Sequence, residues 1–228
     1  MITKKIGNRG LLFTFEEIEV PLSNNASIYL ISTYDKYYLC DTYIGPLAME
    51  YVKPYVDKNK EIIIFNSHSD WEHTWGNYVF KDAIIIGHDS GMKRIKEKAK
   101  YDLDRFARYN KESKEPVNLM FSNGIKFEKD GIEFIYAPGH SLDSSICYDL
   151  KESIIYTGDL VEFSQPIIKH NDLQAYINTL EYLKSLPAEI IISAHSGIIN
   201  KELIDEKINY IKNLLEREIS KDYSFSQA

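Results

Sequence analysis

The stretch Asn66-Ser67-His68-Ser69-Asp70-Trp71-Glu72-His73-Thr74-Trp75-Gly76-Asn77 sets two imidazoles and two carboxylates within six residues, directly after the apolar run Ile62-Ile63-Ile64-Phe65. That run is short, continuous and β-branched, the pattern of a buried strand. A buried strand fixes where its following loop begins, so side chains clustered on the loop can converge on one point. Two neutral imidazoles with two carboxylates make a mixed nitrogen and oxygen donor set, which suits zinc, iron or manganese. The bland alternative is a solvated polar turn, since short polar clusters with a histidine are common. Three singletons downstream weigh against it: His140, Asp159 and His195 each follow a strand-like run, as the cluster itself does.

His68-Ser69-Asp70-Trp71-Glu72-His73 resembles the His-x-His-x-Asp-His signature of the metallo-β-lactamase-fold superfamily. Ala137-Pro138-Gly139-His140-Ser141 looks like that family's Pro-Gly-His motif, and Tyr156-Thr157-Gly158-Asp159 like its Thr-Gly-Asp motif. Ser193-Ala194-His195-Ser196-Gly197 resembles the terminal Gly-His-Gly, while Asn25-Ala26-Ser27-Ile28-Tyr29-Leu30 and Leu39-Cys40-Asp41-Thr42 resemble two N-terminal strands. The resemblance spans roughly residues 10–200 and implies an αββα sandwich, two mixed sheets face to face with helices outside. It also implies a first metal site of His68, Asp70 and His140, a second of Glu72, His73 and His195, and a bridging Asp159. Glu72, as the motif's carboxylate, and Asp159 would orient the attacking water. Asp41 resembles a family aspartate that hydrogen-bonds a ligand histidine.

Two divalent ions in such a centre share a hydroxide and polarise a carbonyl or phosphoryl oxygen, so no side-chain nucleophile is required. Ser141, Ser144 and Ser145, near His140, are therefore read as supporting residues. The expectation is a dinuclear-metal hydrolase acting on a small ester, lactone or related substrate. Asp70 stands where most members have His, and Glu72 where most have Asp. An added carboxylate hardens the first site toward iron or manganese. The rival reading is a di-iron redox or O₂-binding protein similar to the flavodiiron group, without its flavin domain.

A chain of 228 residues with 44% hydrophobic and 27% charged residues is ordinary for one soluble domain. The net charge of −7 disfavours a nucleic-acid surface. Cys40 and Cys147 lie in apolar runs and read as buried free thiols, consistent with a reducing cytosol. No membrane-length apolar run or signal-type leader is present, so a cytoplasmic protein is expected. Composition leaves oligomeric state open, with a homodimer as one option.

Outward from the metal loop, residues 11–65 read as strands, with Phe13, Phe15 and Ile18 as inward candidates and Thr33-Tyr34-Asp35-Lys36 as a hairpin turn. Residues 46–52 read as a short helix with Pro46 in its first turn. By resemblance residues 75–80 form another, and residues 83–87 read as a buried strand. A charge-rich helical insertion fills about 90–116, where Tyr101, Phe106 and Tyr109 are candidates to shape a substrate pocket. Residues 125–127 and 132–136 flank an Asp130-Gly131 turn, and strands follow at 145–149, 154–156 and 189–193. Helices are expected at 173–186 and 202–219, with a frayed tail over 221–228. His88 reads as structural, His170 as facing the site mouth or simply exposed, and Trp71 and Trp75 as packing that stiffens the loop.

Overall fold

The computed structural model describes residues 1–16, 25–106 and 117–225. Among them, the first sheet is built in sequence order from β1 (Ile2–Ile6), β2 (Gly10–Phe15), β3 (Ala26–Ser32), β4 (Lys36–Cys40), β5 (Glu61–Phe65), β6 (Ile84–His88) and β7 (Leu119–Phe121). The second runs β13-β12-β11-β10-β9-β8, from β8 (Gly124–Phe127), β9 (Ile132–Tyr136), β10 (Ser145–Asp149), β11 (Ile154–Tyr156), β12 (Ile190–Ser193) and β13 (Gly197–Ile199). Both sheets are mixed: β4 to β7 pair in parallel, as do β11 and β12, and the remaining pairs are antiparallel.

Successive side chains of a strand point to opposite faces, and here both faces are apolar. Tyr29, Tyr38, Cys40, Ile63 and Phe65 face inward and meet Phe134, Cys147, Ile154, Tyr156 and Ile192 of the other sheet. Their neighbours Ile28, Leu30, Tyr37, Leu39 and Ile64 face outward onto Ala48, Met49 and Val52 of helix α1 (Pro46–Val52). On the far side, Ile146, Ile155 and Ile191 pack against α4 (Leu173–Ser185) and α5 (Lys201–Phe225). The result is the expected four-layer αββα sandwich. Each fully buried Leu, Ile or Phe contributes about 1.5–3 kcal/mol, so register slips that would turn a face over are strongly opposed.

Several elements depart from the sequence reading. The stretch expected as a helix over 75–80 is a four-residue helix α2 (Trp71–Thr74) followed by a 3₁₀ turn at Asn77–Val79. Between them Gly76 passes close to the β4–α1 loop, where a Cβ would meet the Thr42 carbonyl oxygen at 2.2 Å. Strands β7 and β13, three residues each, are too short to stand out by pattern, and β1 is apolar only at its two ends. The insertion holds helix α3 (Asp89–Phe106), on which Tyr101 is exposed. Tyr109, the Phe106 side chain and Ile18 lie outside the described residues. Helix α5 runs on to Phe225, past the expected end at 219.

Cys40 and Cys147 are free and buried between the sheets, where burial and each other's presence push the Cys40 thiol well up. No helix among the described residues is long and apolar enough to cross a membrane.

Strand direction places the site. β4, β5 and β6 are parallel, so their C-terminal ends share one edge of the first sheet. β9, β11 and β12 run the same way as one another, because each of β9 and β11 is antiparallel to β10. The two edges are joined there by Ser145 N–H donating to Ser67 O (2.8 Å) and Ser27 N–H donating to Ala194 O (2.6 Å).

Candidate metal centre

The loops leaving β5, β9, β11 and β12 carry His68 to His73, His140, Asp159 and His195 to this common edge. Gly158 lets the last turn fit. Its φ is +56°, and a Cβ would lie 2.5 Å from Ser67 Oγ.

The four histidines follow one rule: Nδ1 is tied down and Nε2 is left free. His73 Nδ1 lies 2.8 Å from Asp41 Oδ2, His140 Nδ1 is 2.7 Å from Ile167 O, and His195 Nδ1 is 2.9 Å from Asn25 O. Ser67 Oγ donates to Asp41 Oδ2 (2.7 Å), so it accepts from His68 Nδ1 at 3.1 Å. Each acceptor engages Nδ1 and leaves Nε2 facing the shared space, the arrangement a metal-ligating imidazole requires once Nε2 gives up its proton. The Nε2 atoms of His68, His73 and His140 are buried without a hydrogen-bond partner, as is Asp159 Oδ1. Orphaned buried polar atoms are costly, and four around one point fit a divalent cation.

Three sets of ligand atoms lie mutually within 4.8 Å: His68, Asp70 and His140; His68, His73 and Asp159; and Asp159, Glu162 and His195. Asp159 sits among the imidazoles, with Oδ2 3.3 Å from His73 Nε2 and 3.7 Å from those of His68 and His140, and Oδ1 3.5 Å from His195 Nε2. Burial would raise its pKa, but His73, His195 and His68 hold it well below the usual carboxylate range. Burial likewise lowers His195, yet the Asp159 carboxylate more than offsets this and lifts it to about 9. His73 is raised for the same reason, by Asp159 and Asp41.

Asp41 is the hub behind this arrangement, and it does hydrogen-bond a candidate ligand, His73. It accepts from Ser67 N–H (2.8 Å), Ser67 Oγ, His73 Nδ1 and Tyr156 OH (2.7 Å), so one carboxylate orients two histidines. Its φ of 61° is a left-handed conformation that aspartate tolerates better than most residues.

Asp70 takes the N-cap position of α2 without spending its side chain on the cap. Its Oδ2 is 3.3 Å from His68 Nε2 and 3.7 Å from His140 Nε2. The extra negative charge of this substitution is answered within the chain, which spacing alone does not reveal. Arg94 of α3 pairs with Asp70 Oδ1, and Lys169 pairs with Oδ2. The Lys169 backbone N–H donates to His140 O (2.7 Å), fixing this segment against a candidate ligand.

Glu72 is half-buried with Oε2 unpartnered, and it enters none of the three ligand sets. Glu162, absent from the sequence reading, does enter one. Its only sequence signal is a position three residues beyond Asp159. Burial and Asp159 raise its pKa.

The remaining readings resolve simply. His88 spends both nitrogens, on Ser90 Oγ (2.7 Å) and Ser122 O (2.8 Å), and stacks on Tyr136. Ser141 and Ser144 are buried and bonded to each other, with Ser141 Oγ also donating to Asp143, and Ser145 donates to Asp143 O. Trp71 and Trp75 pack ring against ring at 4.9 Å. His170 is only partly exposed, with Nδ1 buried.

Comparison with known proteins agrees with this fold. The family model described as the metallo-beta-lactamase superfamily matches residues 24–195. Similar solved structures include a metallo-beta-lactamase from Pontibacter korlensis, at 16% identity and TM-score 0.74 over 93% of this chain and 99% of that one. Another, from Hirschia baltica, has 16% identity and TM-score 0.74 over 92% and 96%. The FIM-1 enzyme of Pseudomonas aeruginosa, solved in its mono-zinc form, has 13% identity and TM-score 0.72 over 93% and 95%. Curated protein sequences give no match.

Proposed function

The chain belongs to the metallo-beta-lactamase superfamily, and on that premise we propose that it is a metal-dependent hydrolase of a small ester, lactone or related substrate. The observation that carries this reading is the set of four imidazoles with Nδ1 engaged and Nε2 turned toward Asp159. His68, Asp70 and His140 would hold one ion and His73 and His195 a second, with Asp159 shared. A divalent ion bound there would supply hydroxide at neutral pH and polarise a scissile carbonyl. The oxygen-rich donor set suits manganese or iron as well as zinc.

The chain's own residues do the rest. Asp41 and Ser67 keep two imidazoles in register, and the unpartnered Asp159 Oδ1 offers a hydrogen-bond acceptor that would orient the attacking water. Lys169, paired with Asp70 Oδ2, would keep an ammonium beside the reacting centre. Leu142, Phe163 and Ile167 are large exposed apolar residues a few positions from His140, Glu162 and Lys169, and they support a substrate with an apolar portion.

The test is metal analysis of the purified full chain, then an ester and lactone panel with zinc, manganese or iron restored. Hydrolysis with a restored metal is expected, and loss of it in both Asp159→Ala and His140→Ala. Undiminished turnover in both variants would overturn the reading.

A further inference from the structure

Motif spacing gives the carboxylate of the second ion to Glu72, but the side chains meet differently. Glu162 is buried, and its carboxylate lies within 4.8 Å of ligand atoms of both Asp159 and His195. We propose that Glu162, rather than Glu72, is the carboxylate ligand that completes the second ion's site with Asp159 and His195. This rests on the metal-dependent reading above and extends it to a residue outside the motifs.

The placement of Glu162 is built from three directions. Asp159 lies three residues before it, on the turn that Gly158 makes possible. Just after it, Phe163 N–H donates to Ser196 Oγ (2.8 Å), which ties this segment to the neighbour of His195. Lys207 of α5 then donates to Ser164 O (2.8 Å), holding the segment from outside. The Ser164 hydroxyl donates to Glu162 Oε2 (3.1 Å), and a carboxylate with two oxygens keeps lone pairs to spare. Independent of the acidic pair, Asp159 Oδ1 is buried, unpartnered and 3.5 Å from His195 Nε2, so an acceptor already points into the space these three enclose. Glu72 has a buried unpartnered oxygen too, but it enters none of the three ligand sets.

The experiment uses the full chain, stripped with a chelator and titrated with Zn²⁺ against a chromophoric competitor, in wild type, Glu162→Gln and Glu72→Gln. Removing an outer hydrogen-bond partner of a ligand costs about 10–100-fold in metal affinity, so loss of a true ligand should exceed that range. Expected is more than about 100-fold weakening of the weaker-held ion in Glu162→Gln, with Glu72→Gln within about tenfold of wild type. Glu162→Gln is nearly isosteric and keeps an acceptor for Ser164, and Glu162→Asp should recover part of the affinity. The d–d absorption of Co²⁺-loaded protein should change in Glu162→Gln and not in Glu72→Gln. The reverse ranking of the two Gln variants overturns the role given to Glu162 while leaving the hydrolase reading intact. A wild-type chain that binds no Zn²⁺ overturns both.

Discussion

At one end of the sandwich, Asp149 has a fully buried side chain and is gripped by Arg9 through Nε (2.9 Å) and Nη2 (2.5 Å). It also accepts the backbone N–H groups of Lys151 and Glu152, both at 3.1 Å. Asp130 beside it takes Tyr38 OH through its carboxylate (2.7 Å), and its backbone oxygen takes Arg9 Nη1 (2.9 Å). At the other end, Asp159 is also buried, at 8% exposure against 0% for Asp149, but is surrounded by four imidazoles and leaves one oxygen unpartnered. The two ends neutralise buried carboxylates with different cations. A guanidinium never gives up its proton, whereas an imidazole exchanges its proton for a metal ion. The Arg9 end is closed by a fixed ion pair, and the Asp159 end is lined by groups that could hold a metal ion. Asp70 stands between these cases, with Arg94 on one oxygen and an exchangeable Lys169 on the oxygen nearest the imidazoles.

The difference can be broken most forcefully at the closed end. Arg9→Met strands Asp149 in the core, and urea unfolding should show a loss of about 3–5 kcal/mol. Metal content per folded molecule should not change. Metal loss in this variant would mean that the two ends are not independent.

A somewhat smaller effect separates the ends by pH. His195 in the metal-free fold titrates at about 9, above its ordinary 6.5, so its protonation stabilises the fold fully below about 6.5. That contribution drains away as pH rises through about 9, and is worth up to about 3 kcal/mol. Denaturant unfolding of chelator-treated protein should show this decline, and metal loading should flatten it. The Arg9 pair contributes nothing to the slope in this window. A metal-free profile that stays level from pH 6 to 9.5 would remove the proton-for-metal contrast.

The smallest effect sharpens the intermediate case. Lys169→Met removes a cation that competes for Asp70 Oδ2, so metal affinity should rise by about tenfold, the scale of one hydrogen bond to a charged group. Chelator competition reads this directly, and weakened binding would assign Lys169 a supporting role instead.

What the sequence discloses follows the range of the forces involved. Ile62-Ile63-Ile64-Phe65 announces a buried strand because both of its faces are apolar, and the motif histidines are legible because they sit on the loops such strands release. Asp41 was readable through resemblance alone. Arg94, Lys169 and Glu162 left no such mark. Two of them reach the centre on long side chains from a charge-rich helix and a loop, and charge-rich stretches ordinarily face solvent. The Arg9–Asp149 clamp joins residues 140 positions apart and has no periodicity to betray it. For Glu72, spacing alone gave no account of where a carboxylate one methylene longer than aspartate would end.

The central claim is that the Asp159 end holds exchangeable divalent ions, and bound-metal content by plasma mass spectrometry after equilibrium dialysis tests it most directly. Wild-type protein dialysed against zinc, manganese or ferrous iron should retain up to two equivalents through desalting, and Asp159→Ala none. Wild-type protein that retains no metal, or an Asp159→Ala variant that retains as much as wild type, would contradict the account.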